Sequence, residues 1–218
     1  MTKQHFSFKE IFMFGWAKTQ QHAWFIALTF IIIGILISSV VRFPGIPGFA
    51  ALVYTLTVLS VSSISLAISR NHHFTFADLF TPLLSSKRVL KYLAFAILYA
   101  IPPVFVASVI GANIVMKSGL IAVLSLVLFV LAMYIGIRFL FYPFVVVDHE
   151  NAKFVELIKM SYRITSANFL FIVVLYVALV AFNMLGAYLF GIGLLVTVPI
   201  STFMLAHVYN RLIEHHVG

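Results

Sequence analysis

The sequence predicts an all-α polytopic membrane protein with six transmembrane helices, arranged as three repeated hairpins. Its 218 residues are 63% hydrophobic and only 9% charged, whereas an average soluble domain is about 45–50% apolar and about 25% charged. The apolar residues form six runs of membrane-spanning length, and most charged residues lie between these runs. A freely soluble enzyme is excluded, because so few charged groups could not cover its surface.

Each run is long enough to be a membrane-spanning helix. A bilayer core about 30 Å thick needs about 20 apolar residues in helical conformation. The six runs are Ala23–Val41, Ile46–Ser69, Tyr92–Ile110, Gly119–Phe141, Phe169–Leu185 and Ile192–Tyr209. Short segments rich in Gly or Pro separate the two runs of each pair, which predicts tight hairpins. Because no sizeable linker interrupts the chain, we expect a single membrane domain over residues 1–218.

The basic residues predict the orientation of the chain in the membrane. One side of the predicted spans receives Lys3, Lys9, Lys18, Arg70, Lys87, Arg88, Lys91, Lys153, Lys159, Arg163 and Arg211, with Arg138 close by. The other side receives only Arg42 and Lys117. Because cytoplasmic loops carry an excess of Lys and Arg, both termini are expected in the cytoplasm.

A repeated pattern precedes each odd-numbered span. It begins at Phe8, Phe76 and Phe154, with an acidic residue two positions later and apolar residues three, four and eight positions later. This spacing places the apolar residues on one face of a helix, as expected for an amphipathic helix lying in the membrane interface. The predicted interfacial aromatic residues are Phe8, Phe12, Trp16, Phe76, Phe80, Phe154 and Tyr162.

The second span of each hairpin also ends in a repeated way. Arg70 and Arg138 each lie 62 residues after the first Phe of their unit, and Arg211 lies 57 residues after its own. The chain is therefore predicted to contain three pseudo-repeats, over about residues 6–70, 74–138 and 152–211. Chance in a Phe-rich sequence is the alternative. It is disfavoured because three of only six acidic residues fall in register.

Motifs of known chemistry are missing from the sequence. There is no Cys, no phosphate-binding Gly-rich loop and no zinc-protease motif. None of the six acidic residues lies inside a predicted span, which disfavours an ion-coupled pump. The eight His lie near the predicted cytoplasmic side, where a polar-surface role is favoured over metal binding. We therefore expect a non-enzymatic protein without a metal or cofactor.

Arg138 is the charged residue placed deepest in the predicted membrane. Its guanidinium could hold a phosphate or carboxylate in a two-pronged contact. The alternative is an interfacial anchor whose apolar stem lies along the membrane, which its equivalence to Arg70 and Arg211 favours. A related hypothesis is that these arginines form ion pairs that tie the hairpins into a ring. The acidic residues available for such pairs are Glu10, Asp78, Asp148 and Glu156.

Part of the chain resembles a known group of membrane proteins. The stretches concerned are Tyr142-Pro143-Phe144-Val145-Val146-Val147-Asp148 with the helix that follows to Asn168, and Gly191-Ile192-Gly193 leading to Pro199 and Tyr209-Asn210-Arg211-Leu212. Together they resemble bacterial six-span families of unknown function related to the membrane domain fused to some glycerophosphodiester phosphodiesterases. The resemblance covers mainly residues 138–212. It implies a bacterial inner-membrane protein with a role in lipid or envelope homeostasis, and it does not imply phosphodiesterase activity.

Two function classes remain open. The leading hypothesis is a non-enzymatic membrane protein that binds lipid or a protein partner, such as a scaffold or accessory subunit, with a homo-oligomer as a further option. The alternative is a transporter or flippase-like carrier for a small amphipathic or anionic molecule. Nucleic acid is not an expected partner, although the net charge is +8, because the basic residues are scattered singly and form no continuous stripe.

Overall fold

The computed structural model describes residues 7–42, 47–72, 75, 85–98, 109, 119–189 and 192–217. Within these ranges all regular structure is helical, which confirms the all-α class. The helices are α1 (Phe8–Arg42), α2 (Pro47–Ser69), α3 (residues 86–98), α4 (Gly119–Arg138), α5 (Tyr142–Asp148), α6 (Phe154–Ala167), α7 (Phe169–Tyr188) and α8 (Leu194–Val217). In the described ranges, the segment Gly119–Asp148 and helix α7 are long and apolar enough to cross a membrane.

A kink divides α1 close to the predicted start of the first span. His22 has non-helical dihedral angles (φ −122°, ψ 18°) within an otherwise continuous helix. An amphipathic half precedes His22, and an apolar half follows it from Ala23. Burial, aided by the positive charge of Lys18, lowers the pKa of His22 below its usual 6.5. His22 is therefore uncharged at neutral pH, which suits a residue at the edge of a membrane.

The third unit has a corresponding break. Asn168 (φ −130°, ψ 36°) separates α6 from α7, and it lies 14 residues after Phe154, as His22 lies 14 residues after Phe8. In both units the helix direction therefore changes at the same offset. Phe76, Asp78 and Phe80 of the second unit lie outside the described residues, so the threefold repeat as a whole stays a prediction.

The buried stripes of the two amphipathic helices also correspond. In α1 this stripe is Ile11, Gly15 and Thr19, and in α6 it is Leu157, Ser161 and Thr165. The members of each pair have the same offset from Phe8 and Phe154. Even one side-chain hydrogen bond is repeated: the hydroxyl of Thr19 donates to the carbonyl of Gly15, and that of Thr165 to the carbonyl of Ser161, both at 2.8 Å.

These stripes pack against the rest of the protein. The first half of α1 lies against α8, and a Cβ added at Gly15 would come within 2.8 Å of the Ile200 carbonyl oxygen. Helix α6 contacts α4, α5, α7 and α8. The predicted aromatic faces lie beside the stripes and stay partly exposed, as at Trp16 and Tyr162. The amphipathic helices therefore use one face for the protein and a neighbouring face for the surroundings.

Helix α5 lies at the centre of the core. Tyr142, Phe144 and Val145 are buried in it. The ring of Phe95 in α3 stacks on Tyr142 with centroids 3.8 Å apart, and the ring of Tyr209 in α8 stacks on Phe144 at 5.4 Å. The segment that separates the second and third predicted units is thus a packing centre for helices from several units.

Helices α4 and α7 present apolar side chains on their outer faces. Leu120 is 80% exposed and Leu170 is 78% exposed, and the exposed side chains nearby include Leu126, Val130 and Val177. So much exposed aliphatic surface on neighbouring helices is unfavourable in water and favourable in lipid. This supports a membrane environment for these two helices.

Candidate functional site

The three arginines that end the predicted units have different partners. Arg70 forms a two-pronged ion pair with Asp148: Nη1 donates to Oδ1 at 2.6 Å and Nη2 to Oδ2 at 2.8 Å. Arg211 forms an ion pair with Glu10. Both pairs are among the combinations that the sequence allows for these arginines and acidic residues. Each connects helices far apart in the chain, α2 with α5 in the first case and α8 with α1 in the second.

Further hydrogen bonds surround the Arg70–Asp148 pair. Arg70 Nε donates to Asn210 Oδ1 at 3.0 Å, Asn210 Nδ2 donates to the hydroxyl of Ser69 at 2.7 Å, and the Tyr209 hydroxyl donates to Asp148 Oδ2 at 3.3 Å. Burial alone would raise the pKa of Asp148, but the hydrogen bonds and charge of Arg70 outweigh it and hold that pKa below its usual 3.8. Asp148 is therefore charged at neutral pH, and the pair fastens α2, α5 and α8 together.

Arg138 has no carboxylate partner among the described residues. Its guanidinium carbon lies 5.0 Å from the ring centroid of Tyr134, 4.8 Å from that of Tyr162 and 4.2 Å from that of Phe169. A cation within about 6 Å of an aromatic centroid is attracted to the electron-rich face of the ring. We call Arg138 and these three aromatic residues the Arg138 cluster.

Hydrogen bonds fix the position of the Arg138 guanidinium. Nε donates to the Tyr134 hydroxyl at 3.0 Å, and Nη1 donates to the Ser166 hydroxyl at 2.8 Å. The hydroxyl of Thr165 donates to the Arg138 carbonyl at 2.9 Å. Nη2 donates to no group in the described part of the chain. One edge of a fixed, half-exposed guanidinium is thus available to an acceptor from outside.

Glu156 is one of the four acidic residues predicted as possible partners of the arginines, but it has another role. Its Oε2 accepts a hydrogen bond of 2.8 Å from the backbone N–H of Lys153, so that it caps the first turn of α6. Such a cap satisfies a backbone donor that the helix leaves unpaired. Glu10 occupies the same offset in α1 and pairs with Arg211, so the two equivalent acids have different partners.

Three helices position the Arg138 cluster. Arg138 and Tyr134 share one face of the last turn of α4, Tyr162 and Ser166 come from α6, and Phe169 begins α7. The break at Asn168 turns the chain so that Phe169 returns toward Arg138. The cluster therefore lies where α4 ends and α7 begins, beside the amphipathic helix α6, which contacts both.

A second cluster of charged residues was not predicted from sequence. Glu150 forms an ion pair of 2.8 Å with Arg88 and accepts a hydrogen bond from the Ser85 hydroxyl. Lys91 Nζ donates to the carbonyls of Glu150 and Ala152 at 2.6 and 2.8 Å. The Ser85 hydrogen bond, with the nearby positive charges, holds the pKa of Glu150 below its usual 4.5. These contacts join the start of α3 to the turn after α5. In the sequence, the basic residues Lys87, Arg88 and Lys91 were the only indication of this cluster.

The predicted interfacial aromatic residues have mixed surroundings. The ring of Phe8 lies 6.1 Å from that of Phe171, and the ring of Phe12 lies 5.8 Å from that of Phe182. Trp16 and Tyr162 are exposed, and Phe154 is half-buried. The described aromatic residues thus lie at the outer edge of the bundle, where a headgroup or an acyl chain could reach several of them.

A pocket between α1, α2 and α8 bears on the carrier hypothesis. It lies beside Pro199, and its interior space is about 20 Å³, room for about one water molecule. Two hydroxyls line it, but Ser65 donates to the Val61 carbonyl at 2.6 Å and Thr202 to the Val198 carbonyl at 2.8 Å. This pocket is too small and too apolar to hold a solute.

The described residues contain no group of three or more His, Asp or Glu placed to hold a metal ion. Comparisons with protein-family models, with curated proteins and with solved structures gave no match. The geometry of the Arg138 cluster is therefore the basis for any statement about function.

Proposed function

We propose that this chain is a non-enzymatic, six-span protein of the bacterial cytoplasmic membrane that binds an anionic lipid at the Arg138 cluster. The observation that carries the proposal concerns the described residues. Among them Arg70 and Arg211 each have an acidic partner, whereas Arg138, which ends the second predicted unit, has aromatic rings around it and an Nη2 edge that donates to none of them. A guanidinium at the edge of a membrane without an acidic partner attracts an anion from outside.

The surroundings of Arg138 favour a lipid as the source of that anion. The apolar outer faces of α4 and α7 lie on either side of the cluster, so an acyl chain attached to a bound phosphate would have aliphatic side chains to follow. Aromatic rings at headgroup level are favourable neighbours for the glycerol region. A free phosphate would gain nothing from these faces.

The six spans, the three units and the orientation belong to the same proposal. The kinks at His22 and Asn168 and the matching buried stripes of α1 and α6 support equivalent first and third units. The amphipathic helix of the first unit, α1, contacts the outgoing helix of the third unit, α8. The amphipathic helix of the third unit, α6, contacts the outgoing helix of the second unit, α4. A ring of three units would continue this pattern. A carrier function receives no support from the small pocket beside Pro199, whereas a protein partner or homo-oligomer stays a compatible prediction.

The substitution Arg138→Ala removes the charge and is expected to reduce the binding of phosphatidylglycerol about tenfold, because a charge-assisted hydrogen bond contributes about 1.5–3 kcal/mol. Arg138→Lys should retain part of the binding, since it keeps the charge but loses the planar donor pair. The measurement is native mass spectrometry of the protein released from detergent with added lipid. The control is Lys9→Gln, which removes one exposed positive charge from a different helix, α1, and should bind the lipid as the wild type does. Equal binding by wild type and Arg138→Ala would contradict the proposal.

The orientation has its own test, because the chain has no Cys and single cysteines can be introduced freely. In intact cells, a membrane-impermeant maleimide is expected to label Lys117→Cys and to leave Lys153→Cys unlabelled until the membrane is opened. Both variants replace a Lys, so they share the same change in charge. Labelling of Lys153→Cys from outside the cell would overturn the proposed topology.

A further inference from the structure

The exposed face of α6 carries more positive charge than one phosphate can balance. Lys159, Tyr162, Arg163 and Ser166 have the spacing i, i+3, i+4 and i+7, so they share one side of the helix, and all four are exposed. The opposite side holds the buried stripe of α6, so this exposed face is directed away from the bundle.

Arg138 extends from α4 onto the same face. Its Nη1 donates to Ser166, and its guanidinium lies over the ring of Tyr162. From Ser166 to Lys159 the helix rises about 10 Å. Three cationic groups from two helices thus follow one another along a short surface, which we call the α6 cationic face: Arg138, Lys159 and Arg163.

Little negative charge opposes this face in the described part of the chain. Glu156 is the acidic residue of α6, and it lies one turn before Lys159 with Oε2 occupied by the backbone N–H of Lys153. Even if its charge fully offsets that of Lys159, two positive charges of the face have no acidic partner among the described residues. Glu150, the next acid toward the N-terminus, is engaged by Arg88 and Ser85. The face therefore matches a ligand with two negative charges better than one with a single charge.

We propose that the α6 cationic face selects a lipid with two phosphate groups, of the diphosphatidylglycerol type, over lipids with one phosphate. Arg138 would receive one phosphate at its free Nη2 edge, and Lys159 and Arg163 the other. Such a lipid has four acyl chains, and the apolar outer faces of α4 and α7, with Leu170 at their cytoplasmic end, offer a wide surface to them. The inference rests on lipid binding at Arg138, and adds to it the class of lipid and the residues that select it.

The test compares three lipids in nanodiscs or by native mass spectrometry: cardiolipin, phosphatidylglycerol and phosphatidylcholine. The wild type is expected to bind cardiolipin about tenfold more tightly than phosphatidylglycerol, since each additional charge-assisted contact contributes more than a neutral one. The double variant Lys159→Gln with Arg163→Gln should lose this preference and still bind phosphatidylglycerol. The double variant Lys9→Gln with Lys87→Gln has the same net charge and should keep the preference.

The outcomes separate this inference from the proposed function. Equal affinities of the wild type for cardiolipin and phosphatidylglycerol would overturn the selection of two phosphates and leave lipid binding at Arg138 intact. Loss of the preference in the Lys9 and Lys87 control would overturn the assignment to the α6 cationic face, because overall charge would then be the cause. Binding of phosphatidylcholine as tight as that of both anionic lipids would overturn both proposals.

Discussion

Gly15→Leu is expected to cause a large loss of stability, because position 15 of α1 lies in close contact with α8. A Cβ at this position would meet the Ile200 carbonyl oxygen at 2.8 Å and the Met204 Cγ at 2.8 Å. Met204 is flexible, but the carbonyl belongs to the backbone of α8 and cannot move without moving that helix. Overpacking of this kind costs about 1–3 kcal/mol, and the upper end applies because leucine adds four heavy atoms.

The measurement is thermal unfolding of the purified protein in detergent. For a chain of this length about 3 kcal/mol corresponds to a fall in Tm of about 6–12 °C. The matched control is Gly34→Leu in the same helix, because a Cβ at Gly34 has no atom of the described residues within 4 Å. Gly34→Leu should leave Tm nearly unchanged. If both variants melt at the same temperature as the wild type, α1 does not pack on α8 through Gly15.

The surroundings of Gly15 also show how much of the helix packing could be predicted from the sequence. The spacing of Phe8, Phe12 and Trp16 predicted an amphipathic helix, and the apolar run from Ala23 predicted the start of a span next to the residue, His22, at which α1 is kinked. It did not predict that Ile11, Gly15 and Thr19 form the face against the protein. Hydrophobic periodicity detects apolar surroundings but does not distinguish lipid from another helix. The small residue at Gly15, with Ser161 at the same offset, was a signal of close helix packing.

The Arg138 cluster was predictable only in part. Tyr134 lies four residues before Arg138 on one helix, so their contact follows from helical periodicity. Tyr162 and Phe169 reach Arg138 through the break at Asn168 and the packing of α6 on α4, which are tertiary features. The sequence therefore identified the arginine but favoured a simple interfacial anchor, because its equivalence to Arg70 and Arg211 gave no sign of the aromatic rings that surround it.

Helix α5 illustrates a different limit of prediction from sequence, the placing of a helix boundary. Residues 142–148 continue the apolar character of the preceding span, so composition alone could not separate them from it. The turn at residues 139–141 makes the separation, and Pro143 is favourable in the first turn of the new helix because its missing N–H is not needed there. Asp148 at the end of α5 is thereby brought to Arg70, a pairing that sequence offered only as one of several.

Asp148→Asn is expected to destabilise the protein more than substitution of the more exposed carboxylate of Glu150 does. It leaves the Arg70 guanidinium without its negative partner and removes the acceptor of the Tyr209 hydroxyl. Breaking a fully buried pair costs about 3–5 kcal/mol. Here the two side chains retain 34% and 20% of their exposure, so we expect about 2 kcal/mol, or a fall in Tm of about 4–8 °C. The comparison is Glu150→Gln, whose carboxylate is more exposed and whose loss should lower Tm less.

The double variant Arg70→Gln with Asp148→Asn distinguishes the ion pair from simple loss of packing. It removes both charges, so part of the stability lost in Asp148→Asn should return, and the coupling in a double-mutant cycle should be about 1 kcal/mol. Additive losses from the two single variants would show that the pair does not fasten α2 to α5.

The pH dependence gives an independent check on the same pair. Because the pKa of Asp148 is lower in the folded protein than its usual 3.8, the charged form stabilises the fold, and this contribution is complete above the usual pKa. It disappears as the pH falls through the lowered pKa. The Tm values of the wild type and Asp148→Asn should therefore differ at neutral pH and converge in acid. A difference that stays constant down to the pH at which Asp148 is protonated would mean that charge is not what holds α2, α5 and α8 together.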